Sequence, residues 1–135
     1  MIRVRVSAAP RARRGLGRLA PVLRRELARA VVLGAQEVRD EARDLLSQSG
    51  ANGPSAPGEP PRRDTGRLRD SIFARLLGDG LTAQVGTGLD YGGHLEFGTR
   101  RISARPWLQP VFTRMKPRLK ARIARAARTA LGSGV

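Results

Sequence analysis

The sequence predicts an α+β fold, in which a long N-terminal helix and a C-terminal helix pack on a small antiparallel sheet or hairpin, with a long Pro/Gly-rich loop. Two stretches carry apolar residues at three- and four-residue steps, which predicts the helices. Between them, two short segments flank a Gly-containing turn, which predicts the hairpin. The 135 residues suit one domain, so we expect a single domain over 1–135.

The first 18 residues are expected to form a flexible N-terminal arm. Ile2, Val4 and Val6 alternate with arginines, which is typical of a short edge strand or of an arm that pairs with a neighbouring chain. The long helix is predicted over 19–48, with acidic residues and arginines paired along its exposed face. Residues 8–18 would then join the arm to this helix.

An extended loop is predicted over 49–64, because its Pro and Gly content excludes a helix or a central strand. Two interpretations stay open: the loop is disordered, or it reaches a partner subunit. The region 65–109 is predicted to hold a short helix capped by Asp64 or Thr65, the hairpin, and a turn region. A basic C-terminal helix follows over 110–131, and Pro117 should kink or restart it.

The charge balance bounds the possible partners. Of 26 basic residues only two are lysines, and the formal net charge is +15, which favours polyanions such as nucleic acid. The absence of cysteine excludes disulfides and thiolate zinc sites. We expect neither a secretory signal nor a membrane span, because no apolar run is long enough.

The window "DYGGHLEFGTRRISARPWLQP", residues 90–110, raises the question of an active site. His94 and Glu96 could form a base and its orienting carboxylate, but no nucleophile or metal-binding motif accompanies them. The preceding glycines do not form a dinucleotide-binding motif, so Gly86 and Gly88 are interpreted as a turn or bulge at a strand end. We therefore expect no enzyme, and no catalytic, cofactor-binding or metal-binding residues.

The same window is better interpreted as an architectural joint. Tyr91, Phe97 and Trp107 are expected to anchor it to the two helices, and Pro106 should hold Arg105 in an extended entry to the last helix. Glu96 is expected to pair with an arginine. Its candidate partners are Arg100, Arg101 and Arg105.

A row of arginines on the last helix could contact DNA or an acidic partner protein, or could simply face solvent. The row consists of Arg114, Arg118, Arg122 and Arg125. No aromatic residues are interleaved with them as a stacking platform for bases. A non-specific nucleic-acid-binding protein therefore remains an alternative function.

Several ordered blocks over residues 57–115 resemble the neck or tail-completion proteins of long-tailed bacteriophages. The matching residues are Thr65, Gly66, Leu68, Ser71 and Ile72; Gly86 and Thr87; Tyr91; Glu96, Phe97, Gly98 and Thr99; and Arg105, Pro106, Trp107, Leu108 and Pro110. The sequence departs from the family's usual pattern at Gly92 and Gly93 and in having Trp107 where Phe is common.

The resemblance implies a non-enzymatic virion protein that joins the DNA-filled head to the tail, with a tail terminator as an alternative role. It implies a homo-oligomeric ring, commonly a hexamer. The ring would lie between a head-closure or adaptor protein on one side and a tail terminator or tail-tube protein on the other. Contact of the ring with packaged DNA is a further implication. Location would be the head–tail junction of the virion, and the host cytoplasm during assembly. The interface residues implied are Tyr91, Glu96, Phe97, Arg105, Trp107 and Leu108. The arm at 1–14 and the 49–64 loop would reach neighbouring subunits in such a ring.

Overall fold

The computed structural model describes residues 2–8, 21–47, 66–78, 80–101 and 103–132. Its elements in chain order are β1 (Ile2–Ser7), α1 (Pro21–Leu46), α2 (Arg67–Ser71), β2 (Phe73–Leu76), β3 (Thr82–Thr87), α3 (Asp90–Phe97) and α4 (Gln109–Gly132). The predicted α+β class is confirmed, because the two long helices pack on a small antiparallel sheet. The predicted long helices correspond to α1 and α4.

The sheet has the order β1-β3-β2, with both pairs antiparallel. β2 and β3 are the predicted hairpin. β1 is an edge strand that buries Ile2, Val4 and Val6, so residues 2–7 are not a flexible arm: they pair with β3 of the same chain. The joint at 9–18 and the loop at 49–64 lie outside the described residues.

Gly86 lies within β3 rather than in a turn or bulge at its end. It is paired with Arg3 on one side and Phe73 on the other. A Cβ atom built on Gly86 would lie only 2.2 Å from the backbone oxygen of Ile2. Glycine is therefore required here for the close approach of β1, which explains the residue without a bulge.

The helices α1 and α4 run antiparallel and are joined by ion pairs across their seam. Glu41 on α1 accepts from Arg114 on α4 at 3.2 Å, and Glu37 accepts from Arg122. The expected pairing along the exposed face of α1 is confirmed for Arg39 and Asp40 at 3.0 Å, whereas Glu37 and Glu41 pair with arginines of α4 instead. Gly34 brings the helices together, since a Cβ there would lie 2.8 Å from Leu119 Cδ2.

The structure corrects one helix prediction and excludes one of the two alternatives given for another. The N-cap of α2 is Gly66, at a φ of 79° and with no side-chain cap, instead of Asp64 or Thr65, which lie outside the described residues. α4 continues without a break through Pro117, so the helix does not restart there. In the part of the chain that the structure describes, no helix combines the length and apolarity needed to cross a bilayer.

Candidate functional site

The window predicted as a turn region contains an eight-residue helix, α3. The Thr87 hydroxyl at the end of β3 accepts the backbone N–H of Leu89 at 3.1 Å, just before the helix begins. Gly98 ends it with a φ of 75° and donates its N–H to the His94 oxygen at 2.8 Å. The two adjacent glycines at 92 and 93 hid this helix from a propensity argument, because glycine disfavours helix interiors.

Gly92 allows the indole of Trp107 to lie directly against α3. Its carbonyl oxygen accepts the Trp107 Nε1–H at 2.9 Å. A Cβ at Gly92 would lie 2.5 Å from Thr87 Cγ2 and 3.2 Å from Trp107 Cζ2. Gly92 and Trp107 are both departures from the usual pattern of the phage neck proteins. The structure explains them together, because the missing side chain at Gly92 leaves room for the larger indole of Trp107.

Glu96 caps the N-terminus of α4 with its carboxylate. One oxygen accepts the backbone N–H groups of Trp107 and Leu108 at 2.6 and 3.0 Å, and the other accepts that of Gln109 at 2.7 Å. The positive end of the helix dipole further favours a negative charge at this position. The predicted pairing of Glu96 with an arginine is wrong, because backbone amides of the next helix occupy both oxygens.

The loop between the two helices is folded back on α3. Arg105 donates its backbone N–H to the Leu95 oxygen at 2.6 Å, and its guanidinium contacts the Ser103 oxygen at 3.4 Å. Together with the Glu96 cap and the Trp107 indole, this contact fixes α3 relative to α4. The sequence prediction of a joint is matched in position, although its contacts differ from those expected.

The aromatic residues of the joint divide into a buried and an exposed set. Trp107 and Leu108 are fully buried and Glu96 is 5% exposed, whereas Tyr91 and Phe97 are 53% and 76% exposed. Tyr91 and Phe97 are therefore not core anchors, because their side chains face outward from α3. Conversely, the buried side chains of Trp107, Leu108 and Glu96 support these exposed aromatic residues from within.

The exposed side of α3 continues into a shallow groove at the start of α4. Phe97 lines this groove together with Pro106, Pro110, Thr113 and Arg114. We name Tyr91, His94 and Phe97 the α3 surface, because all three are exposed and follow at three-residue steps. A large, rigid aromatic side chain beside a proline-lined groove is suited to contact with another protein.

The four arginines predicted to face DNA have different environments. Arg114 and Arg122 are the ion-pair partners of α1 described above. Arg118 and Arg125 are exposed on α4. Arg114 and Arg122 therefore form ion pairs within the fold. The positive charge that this row presents to solvent comes mainly from Arg118 and Arg125.

α2 contacts the end of β3, just before α3, through two hydroxyl groups. The sequence did not predict this contact. Ser71 Oγ lies 2.7 Å from Thr87 Oγ1, and Ser71 also donates to the Leu68 oxygen at 2.6 Å. The Thr87 hydroxyl is thus shared between α2 and the start of α3. In the sequence, the one indication of this contact was that Ser71 and Thr87 both belong to the blocks that resemble the phage neck proteins.

The described residues bring together no three His, Cys, Asp or Glu side chains that could hold a metal ion. A family model described as "Bacteriophage HK97-gp10, putative tail-component" matches residues 11–98 of the chain. The match includes α1, the whole sheet apart from β1, and α3. Searches of curated proteins and of solved structures returned no match.

Proposed function

The chain belongs to the HK97-gp10-like family of phage tail components, and from this premise we propose that it is a structural protein of the head–tail connection. In this role it completes the tail or neck and joins it to the DNA-filled head. The observation that carries the proposal is the α3 surface, an exposed aromatic patch on a short helix that buried contacts hold rigidly. Such a patch supports assembly because the aromatic side chains lose little conformational freedom when a partner covers them.

We propose that copies of the chain assemble into a closed ring, with a hexamer as the expected form. A ring requires a heterologous contact, in which one surface of a subunit meets a different surface of its neighbour. The α3 surface is our candidate for one half of this contact. Arg105 is half-buried in the loop next to α3, where its backbone N–H is bonded to the Leu95 oxygen.

A contact with DNA in the channel of such a ring is supported by charge. The formal net charge is +15, and Arg118 and Arg125 are exposed on α4. Arginine side chains facing a channel would contact phosphates without reading sequence, so binding should weaken steeply with added salt. We treat this as a secondary property of a structural protein rather than as its main function.

The test is deletion of the gene in the parent phage, followed by negative-stain microscopy of the lysate. The proposal predicts filled heads lying apart from finished tails, with both restored to joined particles by the gene supplied in trans. Tails of irregular length would instead assign the chain to tail termination. Normal infectious particles would contradict a structural role in the virion.

A further inference from the structure

A second groove lies at the edge of the sheet opposite β2. It lies between β1, the edge strand, and one face of α4. We name it the cationic groove; its lining residues are Arg5, Val6, Ser7, Thr82, Phe112, Lys116, Leu119, Lys120 and Ile123. None of them carries a negative charge.

The groove combines an apolar floor with a positively charged rim. Val6 and Leu119 are buried, and Phe112 and Ile123 are half-buried, so apolar atoms form its base. Arg5, Lys116 and Lys120 are exposed around them. The Lys116 amine lies 5.3 Å from the centre of the Phe112 ring, which places a cation directly above the floor.

The two lysines of the chain both line this groove. Every other basic residue in the sequence is an arginine. Lys116 and Lys120 are four residues apart on α4 and therefore share one face. A lysine amine is a compact charge on a flexible stem, which adapts to carboxylates without the fixed bidentate geometry of arginine.

From these features we propose that the cationic groove binds an acidic segment of a partner protein, one that also carries apolar side chains. Carboxylates would pair with Lys116, Lys120 and Arg5, while apolar side chains would cover the floor. An extended segment fits this arrangement, because successive side chains of a strand point to opposite faces. Among the described residues β3 is the one strand that pairs with β1, so an extended segment in the groove would lie along the other side of β1.

The apolar floor, rather than the charge, favours a peptide over DNA as the occupant. DNA phosphates would satisfy the cations, but they would leave the half-buried side chains of Phe112 and Ile123 uncovered. The proposal rests on the proposed function only in placing the partner within the phage particle. The binding chemistry itself can be tested on the isolated 135-residue chain.

The first experiment measures binding of two fluorescent synthetic peptides at roughly 50 mM salt. One alternates glutamate with leucine, and the other replaces every leucine with serine. The double variant Lys116→Gln, Lys120→Gln should weaken binding of the leucine peptide about tenfold, since each exposed ion pair contributes a factor of about two to five. The serine peptide should bind more weakly than the leucine peptide to the unmodified chain.

The matched control is the double variant Arg118→Gln, Arg125→Gln, which removes the same charge from exposed positions of the same helix outside the groove. It should change peptide binding less than about twofold, the lower end of the exposed-pair range. Equal losses from the two double variants would overturn the proposal, because only net charge would then matter. No binding of the leucine peptide, or equal binding of both peptides, would overturn it as well.

Titrating duplex DNA against the same two double variants tests whether DNA, rather than a peptide, binds in the groove. The proposal predicts that the control variant lowers DNA affinity at least as much as the groove variant does. A selective loss of DNA binding in the groove variant, with peptide binding unchanged, would assign the groove to DNA and contradict the proposal.

A second measurement locates the bound peptide without any substitution. A carbodiimide couples an amine to a carboxylate that contacts it: an amide bond forms, the carbodiimide takes up the water as a urea, and no spacer is inserted. Because the side-chain amines of this chain are Lys116 and Lys120 alone, mass spectrometry should find the leucine peptide linked to one of them. Cross-links confined to the N-terminal amine would contradict binding in the groove.

Discussion

Replacing Glu96 with glutamine removes the negative charge that caps α4 while keeping a side chain of nearly the same size. In the folded chain, three backbone N–H groups converge on the carboxylate at 2.6, 3.0 and 2.7 Å. Glutamine offers one oxygen and one NH₂ group in the same space. In either orientation, its NH₂ group faces at least one of the three backbone donors, which then has no acceptor.

The expected loss in the free energy of unfolding follows from two contributions. A buried N–H group left without a partner costs about 1–3 kcal/mol. Loss of the charge at the N-terminus of the helix costs about 0.3–1 kcal/mol at exposed sites and up to about 2 kcal/mol at buried ones. For Glu96→Gln we therefore expect a loss of about 3 kcal/mol.

Urea unfolding followed by circular dichroism measures this loss, and Glu41→Gln is the matched control. Glu41 makes an ion pair with Arg114 while its side chain is 42% exposed, so the same chemical change there should cost less than about 1 kcal/mol. If Glu96→Gln destabilises the chain no more than Glu41→Gln does, Glu96 is not the cap that fixes α3 to α4. The description of a rigid joint would then be refuted.

Two further substitutions test the packing of the sheet and the contact between α2 and the end of β3. Gly86→Ala places a methyl group against the backbone of β1 and should lower the free energy of unfolding by more than about 2 kcal/mol. The control Gly88→Ala adds a methyl group in open space and should change the free energy of unfolding by less than about 0.5 kcal/mol. Similar values for both variants would contradict the close approach of β1. Ser71→Ala removes the hydroxyl group that is hydrogen-bonded to the Thr87 hydroxyl, and should lower the free energy of unfolding by about 1–2 kcal/mol in the same urea assay. A loss below about 0.3 kcal/mol would show that this contact does not stabilise the fold.

Periodicity was sufficient to predict α1 and α4, because each helix buries one face. The β2–β3 hairpin was indicated by the alternation in β3 and by the Gly-containing turn, although all six residues of β3 are buried in the folded chain. Periodicity also indicated β1, although the strand pairs with its own chain and is not an arm. Periodicity could not predict α3, where glycines 92 and 93 weaken the local signal and where tertiary contacts to Trp107 and Thr87 support the helix instead.

The partner of Glu96 could not be predicted from composition. Many arginines in the following residues suggested a guanidinium, yet the carboxylate accepts backbone N–H groups that lie 11 to 13 residues further along the chain. Likewise, Phe97 and Trp107 are both aromatic residues of one window, but one is exposed and the other buried. Only the folded arrangement of α3 against α4 distinguishes the surface residues from those that support them.

The most direct test of the central claim is complementation of the gene deletion with the double variant Tyr91→Ala, Phe97→Ala, scored by electron microscopy. Both side chains are exposed, so the variant should fold as the unmodified chain does, and a Leu131→Ala variant removes a comparably exposed apolar side chain far along α4 as the control. We predict unjoined heads and tails with the double variant and joined particles with the control. Joined particles in normal numbers with the double variant would contradict the claim that the α3 surface connects this protein to its partners.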